Sequence, residues 1–276
     1  MWTKHGGNPI FKPKKDSWDK VIEDFVVIKK GKKYYAFYCG GGNYNFLSGI
    51  GVAISDNPLG PFMRHGTKPL IEGEYLRLGS IIKVGEKWRM YFSKRRGNVF
   101  LAESENLTDW DEMPNPVARN VIQPCVCKFG KEFLLMATDM KKRGIVAMWS
   151  DDGMGFSREK KILTMKPNTG YAFGLGNPNF ITERNKIHIF FEGRPIEFTI
   201  YRNHKLSPWR IFKAIWNGKD DAKIVNNPVL ELRNGEWDEA RIANPNISKF
   251  GNKHYIYYNG WGEKSEFEVG VAWRNI

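Results

Sequence analysis

One hairpin is written five times along this chain. Its first copy is IEDFVVIKKGKKYYAFY (Ile22 to Tyr38): an apolar run, a tight turn around a glycine between lysines, and an aromatic run. The others are LGSIIKVGEKWRMYF, QPCVCKFGKEFLLMA, NPNFITERNKIHIFF and NPNISKFGNKHYIYY, starting at Leu78, Gln123, Asn177 and Asn244. Aligned on the turn, Gly31, Gly85, Gly130, Arg184 and Gly251 are equivalent. Self-similarity at a period of about 50 residues, built from strands, means a propeller or a solenoid, because no hairpin can bury its apolar faces alone.

Each copy is followed by a third strand: GIGVAIS, NVFLAES, GIVAMWS, EFTIYR (Glu197 to Arg202) and EVGVAW. Short fourth strands such as KPLI, NPVA and NPVLEL close the units. The fifth unit lacks its own. The sequence therefore predicts an all-β, five-bladed β-propeller of four-stranded antiparallel blades, one domain over residues 1–276, with Asn8 to Phe11 closing the ring on the last blade. Two stretches exceed the repeat. GGGNYNFLS (Gly40 to Ser48) reads as a mobile loop over one face; it lacks the GK[ST] of a phosphate-binding loop. Lys205 to Ala222 reads as an extended outer hairpin.

Composition excludes several classes. No apolar run is long enough for a transmembrane helix, and MWTKHGGNPIF has no apolar signal core, so a cytoplasmic protein is expected unless a leader precedes it. Cys39, Cys125 and Cys127 are odd in number and lack CxxC spacing; they read as small buried residues. The five histidines show no metal-ligand spacing, so neither a metal nor another cofactor is expected. The formal charge of +13 is concentrated in the turns KKGKK, KVGEK, KFGKE, ERNK and KFGNK. These are either solvated lysines or a basic face for an anionic surface; no nucleic-acid motif accompanies them.

The candidate chemistry lies at the hairpin ends opposite the turns. Seven residues before the turn stand Asp24, Leu78, Gln123, Asn177 and Asn244; eight after it stand Cys39, Ser93, Thr138, Glu192 and Asn259. In a propeller the first set rings the central channel, and four of its five members are polar where strands are usually apolar. Asp139 and the run Lys94-Arg95-Arg96 follow one residue further on. Two carboxylates across a cavity rich in amides and aromatics suit glycoside chemistry, one as acid or base and the other as its partner. Asp24, Glu192 and Asp139 are the catalytic candidates. Arg77, Gln123, Asn177, Asn179, Arg194, Asn244, Asn246 and Trp261 would shape the pocket, joined by Tyr38 and Arg95. The plainer reading gives Asn and Asp here to turns and strand ends. Strand alternation points Glu23 and Arg77 away from their neighbours.

This blade grammar, with FLAESENLTDW, NPNF with FFEGRP, and NPNI with YYNGW, resembles the five-bladed propeller glycoside hydrolases, the group holding families 43, 32, 62, 68, 117 and 130. In the family 43 pattern the Asp opening the first inner strand is the general base, a position that Asp24 matches. The pattern's other two carboxylates fall on Leu78 and Gln123, so Glu192 or Asp139 would supply the acid. The resemblance implies a glycosidase acting on a carbohydrate. The alternatives are a phosphorylase of the family 130 kind, whose motif Glu23-Asp24 echoes, and a non-catalytic propeller that binds sugar or an anionic polymer. A catalytic carboxylate locked to a buried Arg would count against hydrolysis.

Overall fold

In the computed structural model the chain forms a ring of five antiparallel sheets and no helix is present among the described residues. The described residues are all except 44, 45, 95, 96, 142, 143, 185, 196–198, 202, 203, 207, 226, 227, 263 and 264; for 199–201, 204–206, 265 and 266 only the backbone is described. The five hairpins form as the repeat predicts. Their inner strands are Val21–Lys30, Arg77–Val84, Val121–Phe129, Gly174–Glu183 and Arg241–Phe250, each paired with the strand that follows it. Each inner strand packs against those of both neighbouring blades, and the fifth packs against the first. The tight turns need a left-handed residue: Gly31 sits at φ 61° and Arg184 is held at φ 48° in the same role.

The core is divided among the blade interfaces. Val26, Phe37, Leu78 and Phe92 fill the first, between blades one and two. Similar clusters fill the other four. Alternation along the strands supplies both faces of each blade with apolar residues, so every sheet is buried on two sides.

The ring is closed on the last blade by the first eleven residues, the expected stretch Asn8 to Phe11 being joined by a two-residue strand before it. Thr3–Lys4 pairs with Trp273 and Ala272 on the last long strand, Ser265–Asn275, while Phe11 adds one bridge to Val269. Between them the Asn8 side chain mimics a backbone peptide: its Nδ2 donates to Val271 O (3.0 Å) and its Oδ1 accepts from Val271 N (2.9 Å).

Two expectations are corrected. The third strand of blade four is Arg210–Trp216, not EFTIYR; it pairs along Lys186–Arg194 and buries Ile211, Phe212, Ala214 and Trp216. Thr199–Tyr201 and His204–Leu206 instead make a separate small hairpin. Both segments have strand patterns, but only RIFKAIW has the apolar volume to fill the core between blades three and four. GGGNYNFLS is not a loop over one face: Lys33–Asn43 and Phe46–Ser55 carry the hairpin through it, pairing Gly41 with Leu47 and Asn43 with Phe46. Its tip, 44–45, lies outside the described residues.

Candidate active site

Four of the five ring positions share one backbone device. Asp24, Gln123, Asn177 and Asn244 have φ of 55°, 54°, 48° and 53°, and at each of them the ladder to the next strand skips two residues. These are β-bulges with a left-handed residue that turns its side chain out of the alternating pattern and toward the axis. Asn and Asp tolerate this conformation better than other L-residues, and proline follows three of the four positions, where no ladder hydrogen bond is needed. Blade two differs: Leu78 pairs regularly with Phe92, and only Gly79 is unpaired.

The bulges overturn the alternation argument. Glu23 and Arg77 do not point away; they belong to the centre. The Arg77 guanidinium pairs with Glu23 through Nη1, lies 3.2 Å from Asp24 Oδ2 through Nε, and donates to Asn244 Oδ1 through Nη2 (3.4 Å). Asp24 Oδ1 accepts from Asn177 Nδ2 (3.4 Å), and its Oδ2 accepts from Leu78 N (3.2 Å). Asn177 Nδ2 also donates to Asn244 Oδ1 (2.9 Å), and Asn244 Nδ2 donates to Asn259 Oδ1 (3.1 Å). Blades one, two, four and five thus meet through side chains at the axis. Glu23 is the member of this axial network that the candidate set left out. The prolines after Gln123, Asn177 and Asn244 were the signal that simple alternation fails here.

The set eight residues after the turn has a common task. Its side chains accept the backbone N–H of the next blade's ring residue: Cys39 Sγ from Leu78 N, Ser93 Oγ from Gln123 N, Thr138 Oγ1 from Asn177 N and Glu192 Oε2 from Asn244 N, at 2.9–3.2 Å. Asn259 closes the circle by donating to Ile22 O (3.0 Å). Three blades use a neutral thiol or hydroxyl for this stitch, whereas blade four uses a carboxylate. Gln123 joins in through its side chain, whose Oε1 accepts from Thr138 Oγ1 (2.9 Å) and Asn177 N (3.1 Å).

Electrostatics set this cluster apart from a neutral hub. Asp24 is pushed up to about 7, chiefly by burial; Arg77 and the Asn177 hydrogen bond pull it down, while Glu23 and Glu192 push it further up. Burial also raises Glu192, opposed by Arg241, the Asn244 N–H and Arg77. The carboxylates in turn hold the Arg77 guanidinium firmly charged. Arg77 is the network's most open member, its side chain 20% exposed against 1% for Asp24.

The remaining candidates fall elsewhere. Asn179 and Asn246 lie one step out from the axis; Asn179 Oδ1 accepts from Ile247 N (3.0 Å) and so joins blades four and five. Cys125 accepts from the Phe180 N–H in the same way. Trp261 lies against Phe267, whose ring Arg241 also covers. Arg194 donates to Phe173 O and lies over Trp209. Asp139 ends the second strand of blade three, and its Oδ1 accepts from Lys141 N (2.8 Å). Tyr38 is a core residue. Its hydroxyl donates to Asp19 Oδ2 (3.0 Å) and its ring stacks on Trp18, an arrangement repeated in blade five by Tyr258, Asp238 and Trp237. Lys94 is paired with Glu112, and Arg95 lies outside the described residues. No group of three or more His, Cys, Asp or Glu among the described residues could hold a metal ion. None of the described helices could cross a membrane, since there are none.

This fold is that of known glycoside-active enzymes. No protein-family model matches the chain, and no curated protein matches its sequence. Solved structures do. A β-1,2-mannobiose phosphorylase from Listeria innocua, seen with β-1,2-mannobiose, superposes with a TM-score of 0.73 at 11% identity, covering 100% of this chain and 97% of that one. A structure from the GH130 family of mannoside phosphorylases, described as containing hydrolases of β-1,2-mannosidic linkages in Candida mannan, gives 0.76 at 13% identity over 100% and 94%. A thermostable family-43 glycoside hydrolase gives 0.73 at 14% over 92% and 89%. At these identities the likeness is one of fold.

Proposed function

We propose that this chain cleaves glycosidic bonds at the axial end of its propeller, with Asp24 exchanging the proton and Glu192 as its carboxylate partner. The observation that carries the reading is Asp24 itself: a carboxyl buried on the axis and pushed up to about 7 by burial and by two neighbouring carboxylates. A group titrating near neutrality can give a proton to a leaving oxygen and take one from an attacking nucleophile. Perturbed carboxylates gathered at one point of a propeller are what such chemistry needs. The solved relatives in fold are glycoside hydrolases and mannoside phosphorylases, which supports a carbohydrate substrate.

The contact between Asp24 and Arg77 stands against a hydrolase in which Asp24 is a standing base. In this reading Arg77 belongs to the substrate. Its side chain is the least buried of the network, so an incoming hydroxyl or oxyanion would meet it before Asp24. Drawing Arg77 outward frees Asp24 and raises it further. The same guanidinium, with Arg241 beside Glu192, favours phosphorolysis as the second reading, because a guanidinium fork matches phosphate.

The test is turnover of aryl arabinofuranosides, xylosides, galactosides and mannosides, with and without phosphate, beside Asp24→Asn. Turnover is expected on at least one donor, and the variant should lose about 100-fold or more in kcat while remaining folded. Turnover only with phosphate assigns phosphorolysis. A folded protein that turns over none of these donors, yet binds glycans on an array, overturns the enzymatic reading in favour of a binding propeller.

A further inference from the structure

A cavity of about 730 Å³ lies away from the axis, between blades four and five. Trp2, just before the closing strand, forms part of its wall, as does Leu230 on the segment linking the two blades. Its cationic lining is the notable feature: Lys4, Lys213, Arg233 and Arg274, against a single carboxylate, Glu231.

These cations are not equally committed. Lys4 is neutralised by Asp238 at 2.7 Å. Arg274 packs its guanidinium 4.9 Å from the Trp2 ring centre, with Nη2 3.2 Å from His254 Nδ1. His254 Nε2 in turn lies 2.8 Å from Glu183 Oε1, so the nearest carboxylate is held by the histidine. Lys213 is only 8% exposed, and its Nζ sits 5.7 Å from the Phe190 ring centre. It has no hydrogen bond or ion pair among the described residues. Burying an ammonium group without an anion costs several kcal/mol. Burial and the neighbouring Arg274 push the Lys213 ammonium down, opposed only in part by the more distant Glu183 carboxylate, which pairs with His254. Behind it the buried His188 Nδ1 also has no partner among the described residues.

A half-open space with surplus positive charge at one end and an apolar wall beside it is complementary to a small dianion with an organic body. We propose that this cavity binds a phosphate monoester. Lys213 and Arg274 hold the phosphoryl oxygens, Arg233 closes over them from the exposed rim, and Leu230 and Trp2 receive the organic part. A phosphoryl group fits better than a carboxylate because two inner cations and one outer one need more than a single negative charge, and the guanidinium fork matches its oxygens. The volume suits a small metabolite. The site shares no residue with the axial cluster, so it does not depend on the glycosidic reading.

Calorimetric titration of the full chain tests this, with a hexose 6-phosphate, inorganic phosphate and the free hexose as probes at about 0.15 M salt. One saturable site for the ester is expected, tighter than for inorganic phosphate, with no heat from the hexose. Lys213→Met and Arg233→Gln should each weaken the ester about tenfold or more. Lys213→Met removes an unpaired buried charge and is expected to keep or raise the melting temperature. Should it fail to fold, the exposed Arg233→Gln decides alone. Equal affinity in wild type and the folded variants, equal binding of the free hexose, or no saturable binding up to about 10 mM ester would each overturn the proposal.

Discussion

Asp24 holds two unusual states at once: a left-handed backbone and a carboxyl pushed up to about 7 from an ordinary 3.8. The second has a consequence for stability. Because the folded protein binds this proton more tightly than the unfolded chain, Asp24 contributes stability that is fully present below about pH 4 and is lost as the pH rises through about 7. Asp24→Asn removes the titration, so its melting temperature should gain on the wild type as the pH rises from about 4 to about 7. Parallel curves across that range would mean that Asp24 is ionised throughout. At the far end of blade four, Arg184 occupies a turn at φ 48° where its four counterparts are glycine. Arg184→Gly relieves a left-handed L-residue and should stabilise the protein by about 0.5–1 kcal/mol in denaturant unfolding, the backbone relief of about 1–2 kcal/mol exceeding the entropy that glycine adds to the unfolded chain.

At the scale of the element, the repeated bulge builds the site. Each inner strand is regular through its core-facing residues and breaks only where it reaches the axis. Blade two is the exception, and its Gly79 shows why. A Cβ on Gly79 would lie 1.3 Å from Pro124 O, so the bulge of blade three occupies the space that a side chain would need. Gly79→Ala should therefore force blades two and three apart, costing several kcal/mol, more than a typical point substitution. The measurement is soluble yield and urea midpoint; a midpoint near wild type would mean that the blades can shift at no such cost. Between the elements, Cys39 and Cys125 pack in the core as expected and also accept backbone N–H groups from the next blade. Burial raises both thiols, so they remain protonated in that role.

At the scale of the molecule, stability depends on closure. Five interface clusters form a cycle, and one of them contains Ile10 and Phe11 together with residues of blades one and five. The same segment covers the outer edge of Ser265–Asn275. Removing residues 1–11 is expected to expose that edge and part of the cluster, and to lower the melting temperature by more than about 10 °C or abolish soluble expression; each 1 kcal/mol shifts Tm by about 2–4 °C in a domain of this size. A truncated chain melting near the wild type would mean that blades one and five hold the ring without the closing strand.

The sequence alone determined the number of blades, the hairpins, their turns and the residues that ring the axis. These are local matters: period-two alternation, tight turns around glycine, and polar residues recurring at one position. Arg184 was legible as a turn residue because its four equivalents are glycine. Tertiary structure decided the rest. Alternation could not place Glu23, because a left-handed bulge breaks the pattern at Asp24, nor Arg77, whose long side chain reaches partners in blades one and five. It could not choose between EFTIYR and RIFKAIW as the third strand of blade four, because the choice depends on which segment fills the core beside blade three. Tyr38 looked like a pocket residue and is a core one, since its partner Asp19 comes from the preceding segment. The charge of Asp24 was beyond the sequence for the same reason. It is set by burial and by Arg77 and Glu192, groups 53 and 168 residues away in the chain that only the closed ring brings together.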